Sequence, residues 1–79
     1  MMITGTKANN YNGMDITVDM KKDFWISETN GTINVLTKNA AHAAYKGMGR
    51  FFDSWEDALN AYKSSEAKAA IQYAMEILN

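Results

Sequence analysis

The sequence predicts a small α+β domain in which a three-stranded antiparallel meander is packed by C-terminal helices. Three observations predict it. Met14, Ile16, Val18 and Met20 alternate with Asp15, Thr17 and Asp19, the period of two expected of a half-buried strand. Asn30-Gly31 separates two β-prone runs, and both residues tolerate the positive φ that a two-residue hairpin loop requires. From Ser54 onward the apolar residues recur at helical spacing behind serine caps.

Taken in order, residues 1–13 are polar and rich in Asn, Thr and Gly, and read as a loosely held arm before a single domain over 14–79. Strands are expected over about 14–20, 24–29 and 32–37. The Asn30-Gly31 loop sets Thr29 opposite Thr32, Ser27 opposite Asn34, Ile26 opposite Val35 and Trp25 opposite Leu36. A three-residue loop, Lys21-Lys22-Asp23, would set Met20 opposite Phe24, Val18 opposite Ile26, Asp19 beside Trp25 and Thr17 beside Ser27. The inner face is then Ile16, Val18, Met20, Phe24, Ile26, Ile33 and Val35. Asp15, Thr17, Asp19, Trp25, Ser27, Asn34 and Leu36 form the outer face.

Asn39 can cap a short alanine-rich helix over 40–46, with Gly47 as its stop, and Arg50 to Phe52 reads as extended. Ser54-Trp55-Glu56-Asp57 has the shape of a capping box and opens a helix over 54–62 whose face is Trp55, Ala58, Leu59 and Tyr62. Lys63-Ser64-Ser65 resets the phase for a second helix over 65–78, with the stripe Ala67, Ala70, Ile71, Ala74, Met75 and Leu78. Two helices on the inner face would leave the outer face open unless the arm or another subunit covers it.

Seventy-nine residues suffice for one modest core. The absence of cysteine removes disulfides, thiolate metal sites and cysteine nucleophiles, and fits a reducing compartment. MMITGTKANN lacks a basic stretch followed by an apolar run, and no apolar stretch is long enough to span a membrane, so a cytoplasmic protein is expected. Eight basic and nine acidic residues give a formal charge of −1, which argues against bulk-charge binding of nucleic acid or mimicry of it.

Catalytic equipment is sparse. His42 is the single histidine and has neither a cysteine nor a neighbouring acid for metal ligation. Ser27, Ser54, Ser64 and Ser65 are accounted for by a strand position and helix caps, outside any nucleophile-elbow pattern. Asp15 and Asp19 are about 13 Å apart on an extended strand, too far for paired acid–base work. No enzyme activity, cofactor or metal is therefore expected.

The outer face is the leading candidate site. Trp25 opposite Leu36 makes an apolar centre rimmed by Asp15, Thr17, Asp19, Ser27 and Asn34, the pattern of an interaction hot spot. The competing reading covers Trp25 with Ile3 and Tyr11 of the arm and makes it core. If the patch is open, its acids suit a basic partner surface. A nucleic-acid reading would instead use Tyr45, Lys46 and Arg50, with Lys7 and the Lys21-Lys22 turn, for stacking and phosphate contacts.

Lys46-Gly47-Met48-Gly49-Arg50-Phe51-Phe52, followed by Asp53-Ser54-Trp55-Glu56-Asp57-Ala58, resembles the third strand and second helix of an RNA-recognition motif, although Met48 and Arg50 stand where base-stacking aromatics belong. In size, lack of cysteine, and a hairpin sheet followed by capped helices, the whole chain resembles small phage-encoded inhibitors of bacterial defence, anti-CRISPR proteins among them. That resemblance implies a stoichiometric inhibitor that binds a CRISPR effector or similar ribonucleoprotein complex, and it assigns no individual residue. A homodimer through the same self-complementary face is an equal use of it.

Overall fold

The structure, a computed structural model, describes residues 3–7, 12–18, 22–38 and 49–78. The element order is β1 (Ile3–Lys7), β2 (Gly13–Val18), β3 (Lys22–Thr29), β4 (Thr32–Lys38), β5 (Arg50–Phe52), α1 (Trp55–Ala61) and α2 (Ser65–Leu78). The strands form one antiparallel sheet in chain order, β1-β2-β3-β4-β5. The expected three-stranded meander is thus the centre of a five-stranded one. Ile3–Lys7, read from sequence as part of a loose arm, is an edge strand paired with β2 from Ile3 opposite Val18 to Lys7 opposite Met14. Arg50–Phe52 supplies the other edge.

The hairpin between β3 and β4 has the register that Asn-Gly dictates, with Trp25 opposite Leu36 and Thr29 opposite Thr32. Asn30 and Gly31 take φ values of 51° and 86°, the left-handed pair of a tight hairpin turn. Glu28 fastens it. Its carboxylate accepts from the Gly31 amide at 2.9 Å and from Asn12 Nδ2 at 3.2 Å, while its own amide donates to the Asn12 carbonyl at 2.8 Å.

The register of β2 on β3 corrects the sequence reading. Val18 lies opposite Lys22, Ile16 opposite Phe24, Asp15 opposite Trp25 and Met14 opposite Ile26, a slide of four residues from the expected pairing. Lys22 and Asp23 belong to β3, and residues 19–21 connect the strands. Thr17 accordingly faces Asp23 instead of Ser27, and Ser27 faces Gly13. An even slide leaves every side chain on its face, so parity alone cannot choose between the two pairings. Packing can: the observed register sets Ile16 against Phe24, where the expected one would have set it against Glu28.

Both helices cover the inner face, α2 over β1, β2 and β3, and α1 over β4 and β5. The core between them holds Met14, Ile16, Val18, Phe24, Ile26, Ile33, Val35, Ala58, Ala67, Ala70, Ile71, Ala74 and Leu78, all nearly solvent-free. The inner-face prediction holds for every described residue, and Met14 joins it. Small residues at 67, 70 and 74 let α2 lie close to the sheet while Ile71 fills the space between. Ser54 caps α1, accepting from the Asp57 amide at 3.1 Å, and Ser64 accepts from the Ala67 amide at 3.2 Å. Between them the chain turns at an extended Tyr62, so the helices are separate, as the serine reset predicts. α1 has no basic residue in its last turn; Lys68 of α2 reaches across and donates to the Leu59 carbonyl at 2.6 Å.

The proposed helix over 40–46 lies outside the described residues. The strand-then-helix step of the RNA-recognition motif is present at β5 and α1. The five-stranded meander with both helices at its C-terminal end, however, differs from that family's four-stranded sheet.

Candidate functional site: the outer face of the sheet

Because side chains alternate along a strand, the register arranges the outer face in rows that cross the sheet. One row runs Thr6, Asp15, Trp25, Leu36. A second runs Gly13, Ser27, Asn34, Phe51. A third sets Thr4, Thr17, Asp23 and Lys38 at adjoining register positions. Among the described residues no helix packs on this side. The structure places Asp15, Thr17, Trp25, Ser27, Asn34 and Leu36 on this one face; Asp19 lies outside the described residues, and Asp15 stands opposite Trp25, the position expected of Asp19.

Trp25 is neither core nor free. It is half-buried, and its indole lies over Gly13: a Cβ built there would meet Trp25 Cζ2 at 2.7 Å. The glycine gives the ring a seat on the sheet, an aromatic covering an otherwise bare stretch of backbone. On the far side of the face Gly49 does the same for Asn34. A Cβ on Gly49 would overlap Asn34 Oδ1 and approach Leu36 Cγ to 2.9 Å. That amide oxygen is buried and has no hydrogen-bond partner among the described residues, resting instead against the glycine backbone.

Phe51 is the residue that sequence reasoning missed. It is 62% exposed, the most exposed large apolar side chain of the described residues, and it stands on the outer face opposite Asn34 and diagonal to Leu36. Two successive phenylalanines on a strand must point to opposite faces, so one of them had to leave the core. Phe52 is the one that goes in. Trp25, Leu36 and Phe51 thus form an apolar strip across β3, β4 and β5, with Asp15 exposed on the β2 side.

The alternative nucleic-acid residues separate from this strip. Tyr45 and Lys46 lie outside the described residues. Arg50 is opposite the buried Val35 and so projects on the helix side, where its guanidinium sits 5.3 Å from the Phe52 ring centroid and 5.1 Å from that of Tyr62. Phe52 and Tyr62 meet edge to face at 5.9 Å. Burial raises the Tyr62 hydroxyl above 10.0, while the charge and hydrogen bond of Arg50 pull it partly back.

Among the described residues no group of three or more His, Asp or Glu side chains is placed to hold a metal ion, and no helix is long and apolar enough to cross a membrane. His42 lies outside them. Family models, curated proteins and solved structures give no match to this chain.

Proposed function

We propose that this chain is a non-enzymatic binding protein that engages another protein through the outer face of its sheet. The single observation that carries the reading is the strip Trp25, Leu36 and Phe51 on a sheet face that neither helix covers, with Phe51 62% exposed. Exposing a phenylalanine at a position where a polar residue would serve the strand equally well sacrifices burial of about 2 kcal/mol, and a partner restores it. The polar groups around it, Asp15, Thr17, Ser27 and Asn34, supply the rim that gives such a patch specificity.

The finer proposal, an inhibitor of a CRISPR effector or similar ribonucleoprotein complex in the bacterial cytoplasm, rests on the likeness in size, composition and element order. Direct nucleic-acid binding is disfavoured on this face by the exposed Asp15 and by the projection of Arg50 to the opposite side.

The test is capture from nuclease-treated bacterial lysate expressing such effectors, with three baits compared: the wild type, Phe51→Asp on the outer face, and Ile77→Asp on the exposed side of α2, where Ile77 is 45% exposed. A protein recovered by the wild type and by Ile77→Asp but lost with a folded Phe51→Asp supports the reading. Equal recovery by all three removes the outer face from the account.

A further inference from the structure

We infer that Asn30 is a site of spontaneous covalent modification, deamidation to aspartate and isoaspartate, and that the Glu28 carboxylate holds the reaction in check in the folded protein. The reaction needs only water. The Gly31 nitrogen gives up its proton and attacks Asn30 Cγ; the new C–N bond closes a succinimide ring, the Cγ–Nδ2 bond breaks, and Nδ2 takes up a proton and leaves as ammonia. Water then opens the ring. Attack at Cγ gives aspartate, and attack at the main-chain carbonyl carbon leaves the chain running through the side chain, as isoaspartate.

Asparagine before glycine is open to this chemistry because the next residue has no Cβ to hinder its nitrogen. Asn30 and Gly31 are both exposed, so water reaches the ring. The turn opposes the first step in two ways. At a φ of 51° Asn30 is left-handed, a conformation that brings Cβ toward the carbonyl oxygen following it and so sets the Gly31 nitrogen away from the side chain it must attack. Glu28 Oε2 accepts from that same nitrogen at 2.9 Å, so removing the proton breaks a hydrogen bond and places an amide anion beside a carboxylate. Glu28 is itself anchored, with Oε1 accepting from Asn12 Nδ2 at 3.2 Å. Attack therefore waits for a local opening in which the Glu28–Gly31 bond breaks and Asn30 rotates.

The two products affect the fold differently. Aspartate tolerates the left-handed conformation and keeps the turn. Isoaspartate lengthens the backbone of a two-residue loop whose length sets Thr29 opposite Thr32 and Trp25 opposite Leu36, so it loosens the hairpin at the source of its register. The chain holds a second such pair, Asn12-Gly13, in which Gly13 is buried in β2 beneath the Trp25 indole. It is the internal reference.

The experiment is peptide mapping by mass spectrometry of the full chain incubated at mildly alkaline pH, following replacement of amide by acid at each asparagine. Folded wild type, wild type in denaturant, Glu28→Ala and Ser54→Ala are compared. Ser54→Ala removes the α1 cap, far from the turn, and controls for general loss of stability. Asn30 and Asn12 should react alike in denaturant, while in the folded protein Asn30 reacts more slowly than there but ahead of Asn12. Glu28→Ala should speed Asn30 about fivefold over folded wild type, the factor that one typical hydrogen bond represents in the opening equilibrium, and Ser54→Ala should leave it unchanged. Circular dichroism verifies the fold, and Glu28→Gln replaces the alanine variant if that one unfolds. A folded Glu28 variant that reacts no faster than wild type, or equal acceleration by Ser54→Ala, overturns the role of Glu28. A folded wild type silent at Asn30, or modified there no faster than at Asn12, overturns the site.

Discussion

The indole of Trp25 lies on Gly13, and a Cβ at that glycine would come within 2.7 Å of Cζ2. This contact fixes the height of the apolar strip above the sheet. Gly13→Ala should destabilise the protein by about 1–3 kcal/mol through overpacking, outweighing the roughly 0.5–1 kcal/mol that alanine gains over glycine within a strand. It should also lift the indole into water. In a Trp55→Phe background, which leaves one of the two tryptophans, the emission of Trp25 should move to longer wavelength, and chemical denaturation should show the lower midpoint.

Glu28 ties two connections together, accepting from Gly31 in the β3–β4 turn and from Asn12 just before β2. Glu28→Ala removes both acceptors at an exposed site where water replaces them, so the expected loss is about 1 kcal/mol. The urea midpoint should fall at an unchanged slope. A loss of several kcal/mol would mean that the clamp organises more of the fold than these two bonds.

Tyr62 makes stability depend on alkaline pH. Its folded-state pKa is raised by burial above 10.0, so the folded form holds the phenolic proton more tightly than the unfolded chain does. The corresponding stability is complete below the unfolded value and is lost as pH rises through the folded one. Denaturant titrations at increasing alkaline pH should show that decline, and Tyr62→Phe should remove the share that Tyr62 contributes.

The core face and the central hairpin were legible in the sequence because two local rules overlap there. Alternation assigns faces, and Asn-Gly assigns the register between β3 and β4. Both helix starts were legible for a similar reason, since Ser54 and Ser64 act through amides only three residues away. The β2–β3 register was not: a slide of four residues preserves parity, and the choice is made by Ile16 against Phe24 across the sheet. Nor was β1. Its residues Ile-Thr-Gly-Thr-Lys bury little by themselves, and Gly5 has its value only in the folded state, where a Cβ would strike Met14 Cε at 2.6 Å and Tyr73 Cε2 at 2.8 Å. Within the candidate site, Trp25 and Leu36 were found from the turn. Phe51 escaped because the sequence cannot say which of two adjacent phenylalanines enters the core before β5 is paired to β4.

The most direct test of the outer face as the binding surface is a nuclear magnetic resonance titration of the isotopically labelled chain, with a protein captured by the wild type or with increasing amounts of the chain itself. The account predicts that the Trp25 indole N–H, the Asn34 side-chain amide and the backbone amides of Leu36 and Phe51 shift or broaden together, while Gln72 and Glu76 on the exposed side of α2 stay unchanged. Perturbations confined to α1 and α2, with the strip Trp25, Leu36 and Phe51 silent, would contradict it.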